Sequence, residues 1–360
     1  MAKYRILVVD DAVVMRKLIT ETLARDAELE VAGIAANGRI ALQKIPQINP
    51  DLLTLDLEMP EMDGLATLRE LRAHYPNLPV IIFSTLSQRG AAATLDALSL
   101  GANDYVTKPA NVGSVTEAVE RLETELIPKI KAQCRPRVQG HLLKERSACV
   151  PALVQPLRSP SARVEIVCIG TSTGGPNALA QVFRNLPTTL PVPIVIVQHM
   201  PPMFTALLAE RLNSLSTLPC REGVDGQMIE SGHAYLAPGG RHMEVTRAGT
   251  QLRLRLHDGP LENSCRPAVD TLFRSVANTM GQGALGVVMT GMGQDGMRGC
   301  GAIREHGGRV IVQDEASSVV WGMPGSVAQA GLAEKVLPVD QIAGEITRQV
   351  RNNRPVILGK

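Results

Sequence analysis

The 360-residue sequence predicts two successive α/β domains, each built on a parallel sheet with helices packed against it. Short aliphatic runs at 5–9, 31–35, 52–56, 80–83 and 104–107, and again at 164–169, 193–197 and 284–289, alternate with segments of helical period. Each run ends in polar residues or glycines, where sheets of this kind gather their functional groups. Aromatic residues make up only 2% of the chain while Gly (32) and Pro (24) are plentiful, which suits α/β architecture better than a barrel or a base-stacking surface.

Charge divides the chain. Residues 1–130 hold 13 Lys/Arg against 18 Asp/Glu, residues 131–163 hold 7 against 1, and residues 164–360 hold 17 against 16. The basic middle segment also carries Pro136, Pro151, Pro156 and Pro160, a mixture that builds no core, so 131–163 reads as a linker between domains at 1–130 and 164–360. Neither half is strongly basic, which argues against nucleic acid as a partner. No apolar stretch reaches the roughly 18 residues that span a membrane, and the N-terminus lacks a signal-peptide core, so a cytoplasmic location without membrane insertion is expected. Cys134, Cys149, Cys168, Cys220, Cys265 and Cys300 are scattered without a C-x-x-C, indicating neither zinc nor a disulfide framework.

In the first domain the strand at 5–9 leads into Asp10-Asp11, that at 52–56 ends on Asp56, Ser84 follows the run at 80–83, and Lys108 follows the run at 104–107. Singly, each has a bland reading: an Asp after a strand is usually an N-cap, and a Lys before Pro is usually solvated. Together they describe a phosphoryl-accepting site. Asp10, Asp11 and Asp56 repel one another unless a hard cation joins them, which implies Mg²⁺. Asp56 is the expected nucleophile toward a phosphodonor, Lys108 the neutralising charge, and Ser84 a hydrogen-bond donor to the phosphoryl group. The segments Val8-Val9-Asp10-Asp11, Asp56-Leu57-Glu58-Met59-Pro60-Glu61-Met62-Asp63-Gly64 and Lys108-Pro109 resemble the response-regulator receiver domain. That resemblance implies a flavodoxin-like five-stranded parallel sheet, a histidine kinase as phosphodonor, Ser84 and Tyr105 as switch residues, and a cis Lys108-Pro109 bond.

In the second domain the run at 164–169 enters Gly170-Thr171-Ser172-Thr173-Gly174-Gly175-Pro176. By itself this is either a glycine-rich phosphate loop before a helix or a nucleophile turn of the form G-x-S-x-G, although the dinucleotide spacing fails at Ser172. The run at 193–197 ends at Gln198-His199, and that at 284–289 is followed by Thr290-Gly291-Met292-Gly293-Gln294-Asp295. If these strands are parallel, Ser172, His199 and Asp295 share one sheet edge, as a Ser-His-Asp triad requires. Amides of the glycine-rich turns, at Thr173 and Met292, are candidate oxyanion donors. The order Ser…His…Asp departs from the α/β-hydrolase order. His306, the alternative base, precedes Gly307-Gly308 and fits a helix C-cap better.

Residues 169–175, 198–202 and 290–296, with Trp321-Gly322-Met323-Pro324, resemble the CheB family of chemotaxis methylesterases across both domains. The resemblance implies a doubly wound, mostly parallel α/β hydrolytic domain in which Ser172, His199 and Asp295 are catalytic. It implies hydrolysis of glutamate γ-methyl esters on methyl-accepting chemoreceptors, deamidation of receptor glutamines, and control by phosphorylation of Asp56. No cofactor is expected for the hydrolysis itself. The segment from Asn263 to Asp270 also resembles a family segment near the substrate groove, without a role for its individual residues. Two rival readings are a non-enzymatic α/β output module, which gives His199 and Asp295 no purpose, and a DNA-binding regulator, for which no basic face is present.

Overall fold

The computed structural model describes residues 3–109, 114–134 and 163–352. The chain divides into two compact units, Met1–Arg135 and Pro136–Lys360.

In the first unit β1 (Tyr4–Val9), α1 (Val13–Leu23), β2 (Leu29–Ala35), α2 (Gly38–Ile48), β3 (Leu52–Asp56), α3 (Gly64–His74), β4 (Val80–Ser84), α4 (Gln88–Ser99), β5 (Asp104–Thr107) and α5 (Val115–Cys134) alternate strictly. The sheet order is β2-β1-β3-β4-β5 with every pairing parallel. Most buried residues on these strands are apolar, on both faces, because helices cover both. Ile6, Val8, Leu52, Ile81, Phe83 and Val106 form one such layer with Leu18, Ile19, Leu122 and Leu126 of α1 and α5. The chain moves one way from β1 to β2 and the other way to β3, so the sheet reverses between β1 and β3. Val9 pairs with Leu55, which puts Asp10 beside Asp56 at the reversal.

Local signals set the helix starts: Asn37, Asp63 and Ser87 accept hydrogen bonds from the amides of Ile40, Ala66 and Gly90. Gly64 is required by close approach, since a Cβ there would lie 2.3 Å from the Asp56 carbonyl oxygen. Two expectations are corrected. Helix α5 runs to Cys134, four residues into the expected linker, because Lys131 pairs with Asp26 (2.7 Å) and Glu28 (3.2 Å) and Cys134 packs on the core. The rest of that linker, residues 135–162, lies outside the described residues. Lys108-Pro109, expected to be cis, is not; among the described residues the one cis bond is Arg266-Pro267. The trans form is the preferred one for an X-Pro bond.

In the second unit β6 (Ile166–Thr171), α6 (Gly175–Asn185), β7 (Ile194–Gln198), α7 (Phe204–Leu215), β8 (Cys220–Glu222) and β9 (Ala234–Leu236) precede an antiparallel hairpin, β10 (His242–Ala248) with β11 (Gln251–His257). Then come α8 (Val269–Met280), β12 (Ala284–Val288), α9 (Met297–Glu305), β13 (Arg309–Gln313), α10 (Met323–Gln329), β14 (Lys335–Leu337) and α11 (Val339–Arg351). The seven-stranded sheet, β14-β13-β12-β6-β7-β9-β8, is parallel throughout. Its reversal falls between β6 and β12.

Strand β6 continues two residues beyond the expected run, because Gly170 pairs with Val288 and Val197 and Thr171 pairs with Gln198. Gly170 is therefore strand rather than turn. Any side chain at that position would meet Val269 Cγ1 at 2.4 Å, so the glycine lets the start of α8 close onto β6. His306 is the C-cap of α9, its amide donating to the Ala302 carbonyl.

Candidate active site

At the reversal of the first sheet, Asp10 and Asp56 are buried, and Lys108 Nζ reaches both carboxylates, at 3.0 Å and 2.7 Å. Asp10 Oδ1 accepts from the Ala12 amide at 2.9 Å, and Arg16 donates to the carbonyls of Asp10 and Asp11. Asp11 is exposed, yet ligand oxygens of Asp10, Asp11 and Asp56 all lie within 4.8 Å of one another. Three hard oxygen donors at that spacing fit a small divalent cation such as Mg²⁺. Burial and the neighbouring Asp10 charge raise the Asp56 carboxyl above its ordinary value, against the pull of Lys108. Burial works to discharge Lys108, but the two carboxylates hold it above its ordinary value.

Ser84 ends the adjacent strand, but its hydroxyl is turned to α4. It donates to the Gly90 carbonyl at 3.1 Å and accepts from Thr94 Oγ1 at 2.6 Å. Tyr105 is buried on β5 with the Lys129 ammonium 5.2 Å from its ring centre. Neither touches Asp56 by a hydrogen bond among the described residues.

The second site forms where β6, β7 and β12 end together. Ser172 follows β6, with its amide donating to the Thr290 carbonyl (3.0 Å) and its carbonyl accepting from the Gly175 amide (2.8 Å) and Gln198 Nε2 (2.9 Å). Gly174 at φ +75° makes the turn into α6, and a Cβ there would strike Val319 at 2.6 Å. The loop after β12 comes as close: a Cβ on Gly291 would lie 2.9 Å from Ser172 Cβ. His199 follows β7, its amide held by the Thr171 carbonyl at 3.1 Å.

Asp295 Oδ2 bonds His199 Nε2 at 2.8 Å and accepts from the Val269 amide at 2.7 Å. Its Oδ1 accepts from the amides of Asp270 and Gly296, each at 3.0 Å, and from Asn263 Nδ2 at 2.8 Å. The carboxylate thus sits on the N-terminus of α8, where free amides and the helix dipole favour negative charge. Burial alone would push its carboxyl up, but His199 and the Asp270 and Val269 amides bring it below the usual value. Burial also opposes a charged His199, yet Asp295 and Cys265 outweigh it and push the imidazole up to about 9. Asp295 is therefore ionised near neutrality, and an imidazolium is stabilised beside it.

Each of the three residues predicted for the hydrolytic site lies at one sheet edge. The His199–Asp295 pair is formed. Among the described residues no hydrogen bond joins Ser172 Oγ to His199, whose second nitrogen, Nδ1, instead faces Cys265 Sγ at 3.5 Å. The amides of Thr173 and Met292 donate to no described residue. Sequence reasoning missed Asn263, Cys265 and Asp270. Asn263 Nδ2 bridges Asp295 and Asp270 (2.9 Å), and Asp270 Oδ1 accepts from the Gly299 amide at 2.7 Å. The stretch from Asn263 to Asp270 stood out in the sequence, but nothing in its spacing tied it to a carboxylate 25 to 32 residues on.

The family described as CheB methylesterase matches residues 167–346, and the response regulator receiver domain matches residues 6–120. A protein of Trichodesmium erythraeum named protein-glutamate methylesterase/protein-glutamine glutaminase is 53% identical over 355 residues, covering 97% of this chain and all (100%) of that protein. A protein of the same name from a Nocardioides species is 48% identical over 98% of this chain and 97% of its own length. Among solved structures, the Thermotoga maritima CheB methylesterase catalytic domain is 40% identical, with a TM-score of 0.51, and is similar to 51% of this chain and 98% of its own.

Proposed function

This chain belongs to the CheB methylesterase family, and from that premise we propose which of its residues carry the chemistry. It is a receiver-controlled protein-glutamate methylesterase and protein-glutamine glutaminase of chemotactic adaptation. Ser172 is the nucleophile, His199 the base and Asp295 the group that orients the base. The observation that carries this assignment is the 2.8 Å His199–Asp295 bond placed one strand from Ser172 on a parallel sheet.

Asp295 fixes the proton on Nε2, leaving Nδ1 as the lone-pair nitrogen. Nδ1 takes the proton as Ser172 Oγ attacks the γ-carbonyl carbon of a methylated glutamate, then returns it to the departing methoxide as methanol. Water hydrolyses the acyl-enzyme by the same route and leaves a glutamate. A glutamine side chain follows the same path with ammonia as leaving group, so one triad serves both substrates. The open amides of Thr173 and Met292 support their role as donors to the tetrahedral oxyanion.

In the receiver, Asp56 is the phosphoacceptor, Lys108 its charge partner, and Asp10 and Asp11 complete the oxygen donors for Mg²⁺. The cation, when bound there, offsets the negative charge gathered during phosphoryl transfer. Ser84 and Tyr105 respond to the new phosphoryl group, Ser84 by giving up its bonds to α4. The fitting phosphodonor is a chemotaxis histidine kinase, and the fitting substrates are methyl-accepting chemoreceptors. No described helix is long and apolar enough to cross a membrane.

Methanol release from methylated receptor fragments tests the assignment. Ser172→Ala is expected to lose about 10³-fold or more, the scale of removing a triad nucleophile. Turnover near the parent rate would overturn it.

A further inference from the structure

Cys265 Sγ lies 3.5 Å from His199 Nδ1, while Nε2 of the same ring bonds Asp295 at 2.8 Å. Thiol, imidazole and carboxylate therefore stand in the order that activates a cysteine nucleophile. We propose that Cys265 is a redox modification site, forming a mixed disulfide with low-molecular-weight disulfides of the glutathione type and thereby switching off hydrolysis at Ser172.

Among the described cysteines the site is selective. Cys168, Cys220 and Cys300 are buried, and burial pushes the Cys134 and Cys220 thiols up to about 12. Cys265 is partly exposed and follows Asn263 and Ser264, exposed residues of a turn with φ of 51° and 62°. Among the described thiols it alone is bonded to an imidazole.

The exchange balances without another reagent. The Cys265 proton passes to His199 Nδ1, and the thiolate attacks one sulfur of the external disulfide. That S–S bond breaks, and the leaving sulfur departs with the electron pair and takes the proton as a free thiol. Cys265 is oxidised to the mixed disulfide and the external sulfur is reduced. The adduct then stands against Nδ1, the nitrogen that must accept the Ser172 proton. This last step rests on the assignment of His199 as base for Ser172.

The test treats the full chain with glutathione disulfide, maps adducts by peptide mass spectrometry and follows methanol release. Expected are an adduct at Cys265, a loss of activity of about 10³-fold in the fully modified protein, and recovery with dithiothreitol. In Cys265→Ala the ratio of treated to untreated activity should stay near one, and His199→Ala should slow adduct formation at Cys265. Ser172→Ala should still acquire the adduct, which separates the thiol chemistry from the triad. If that variant retained turnover, the triad assignment would fall by itself. Adducts elsewhere than Cys265, an adduct at Cys265 without loss of activity, or equal inhibition of Cys265→Ala would each overturn the proposal.

Discussion

Asn263 uses one amide nitrogen to hold two carboxylates, Asp270 at 2.9 Å and Asp295 at 2.8 Å. Without it the buried Asp270, whose carboxyl is already raised by burial and by Asp295, faces a second negative charge directly. A hydrogen bond to a charged group contributes about 1.5–3 kcal/mol, and each 1.4 kcal/mol or so is a factor of ten in rate. Asn263→Ala is therefore expected to lower kcat about 10–100-fold with little change in KM, read from initial rates on a methylated receptor peptide.

At His199 the sign of the pH dependence follows from the raised imidazole. With His199 as the proposed base, only the neutral ring can accept the Ser172 proton, so kcat/KM of the unphosphorylated chain should climb with pH through about 9 and level off above it. Cys265→Ala removes one of the groups that raise the ring, and the same profile should then level off at lower pH. For stability the direction is opposite. The folded ring is raised above its ordinary 6.5, so its contribution is complete below 6.5 and is lost as pH rises through about 9.

The elements explain how much of the site could be read without a structure. Apolar runs such as 52–56 and 284–288 need partners on both faces, so they had to be strands of a covered parallel sheet. The polar residues beyond them then had to share an edge. The shared-edge placement of Ser172, His199 and Asp295, and of Asp10, Asp56 and Lys108, was legible for that reason. Asn263 and Cys265 were not, because they lie on and just after a left-handed turn at Asn263-Ser264 with no periodicity and reach partners 32 and 66 residues away. Lys131 misled, since its charge matched the basic linker while it lies on α5 and pairs with Asp26 and Glu28, between α1 and β2.

The turn from β6 into α6 gives a test at this scale. Gly174→Ala would demand a side chain at φ +75° and 2.6 Å from Val319. Left-handed strain and overpacking each cost about 1–3 kcal/mol. The variant should melt at lower temperature by calorimetry and lose ester hydrolysis, because the same turn carries Ser172.

Across the whole molecule, the proposed phosphoacceptor Asp56 and the proposed nucleophile Ser172 belong to different compact units, so any effect of one on the other is a coupling free energy between them. The acid-rich site at Asp10, Asp56 and Lys108 already carries excess negative charge before phosphorylation, with one ammonium serving two buried carboxylates. A phosphoryl group on Asp56 adds charge and acceptor oxygens, competes for Lys108, and offers Ser84 a partner other than α4. The resulting shift in the receiver should raise methanol release from the full chain by roughly 5–150-fold, the usual span of such coupling. A small-molecule phosphodonor with Mg²⁺ supplies the phosphoryl group without a kinase. Asp56→Asn should abolish the rise while leaving hydrolysis by the unphosphorylated chain in place. With the receiver acting as a restraint on hydrolysis, the fragment 164–360 should ignore the phosphodonor and exceed the unphosphorylated full chain in activity. Equal rates for fragment and full chain would mean that the receiver imposes no such restraint.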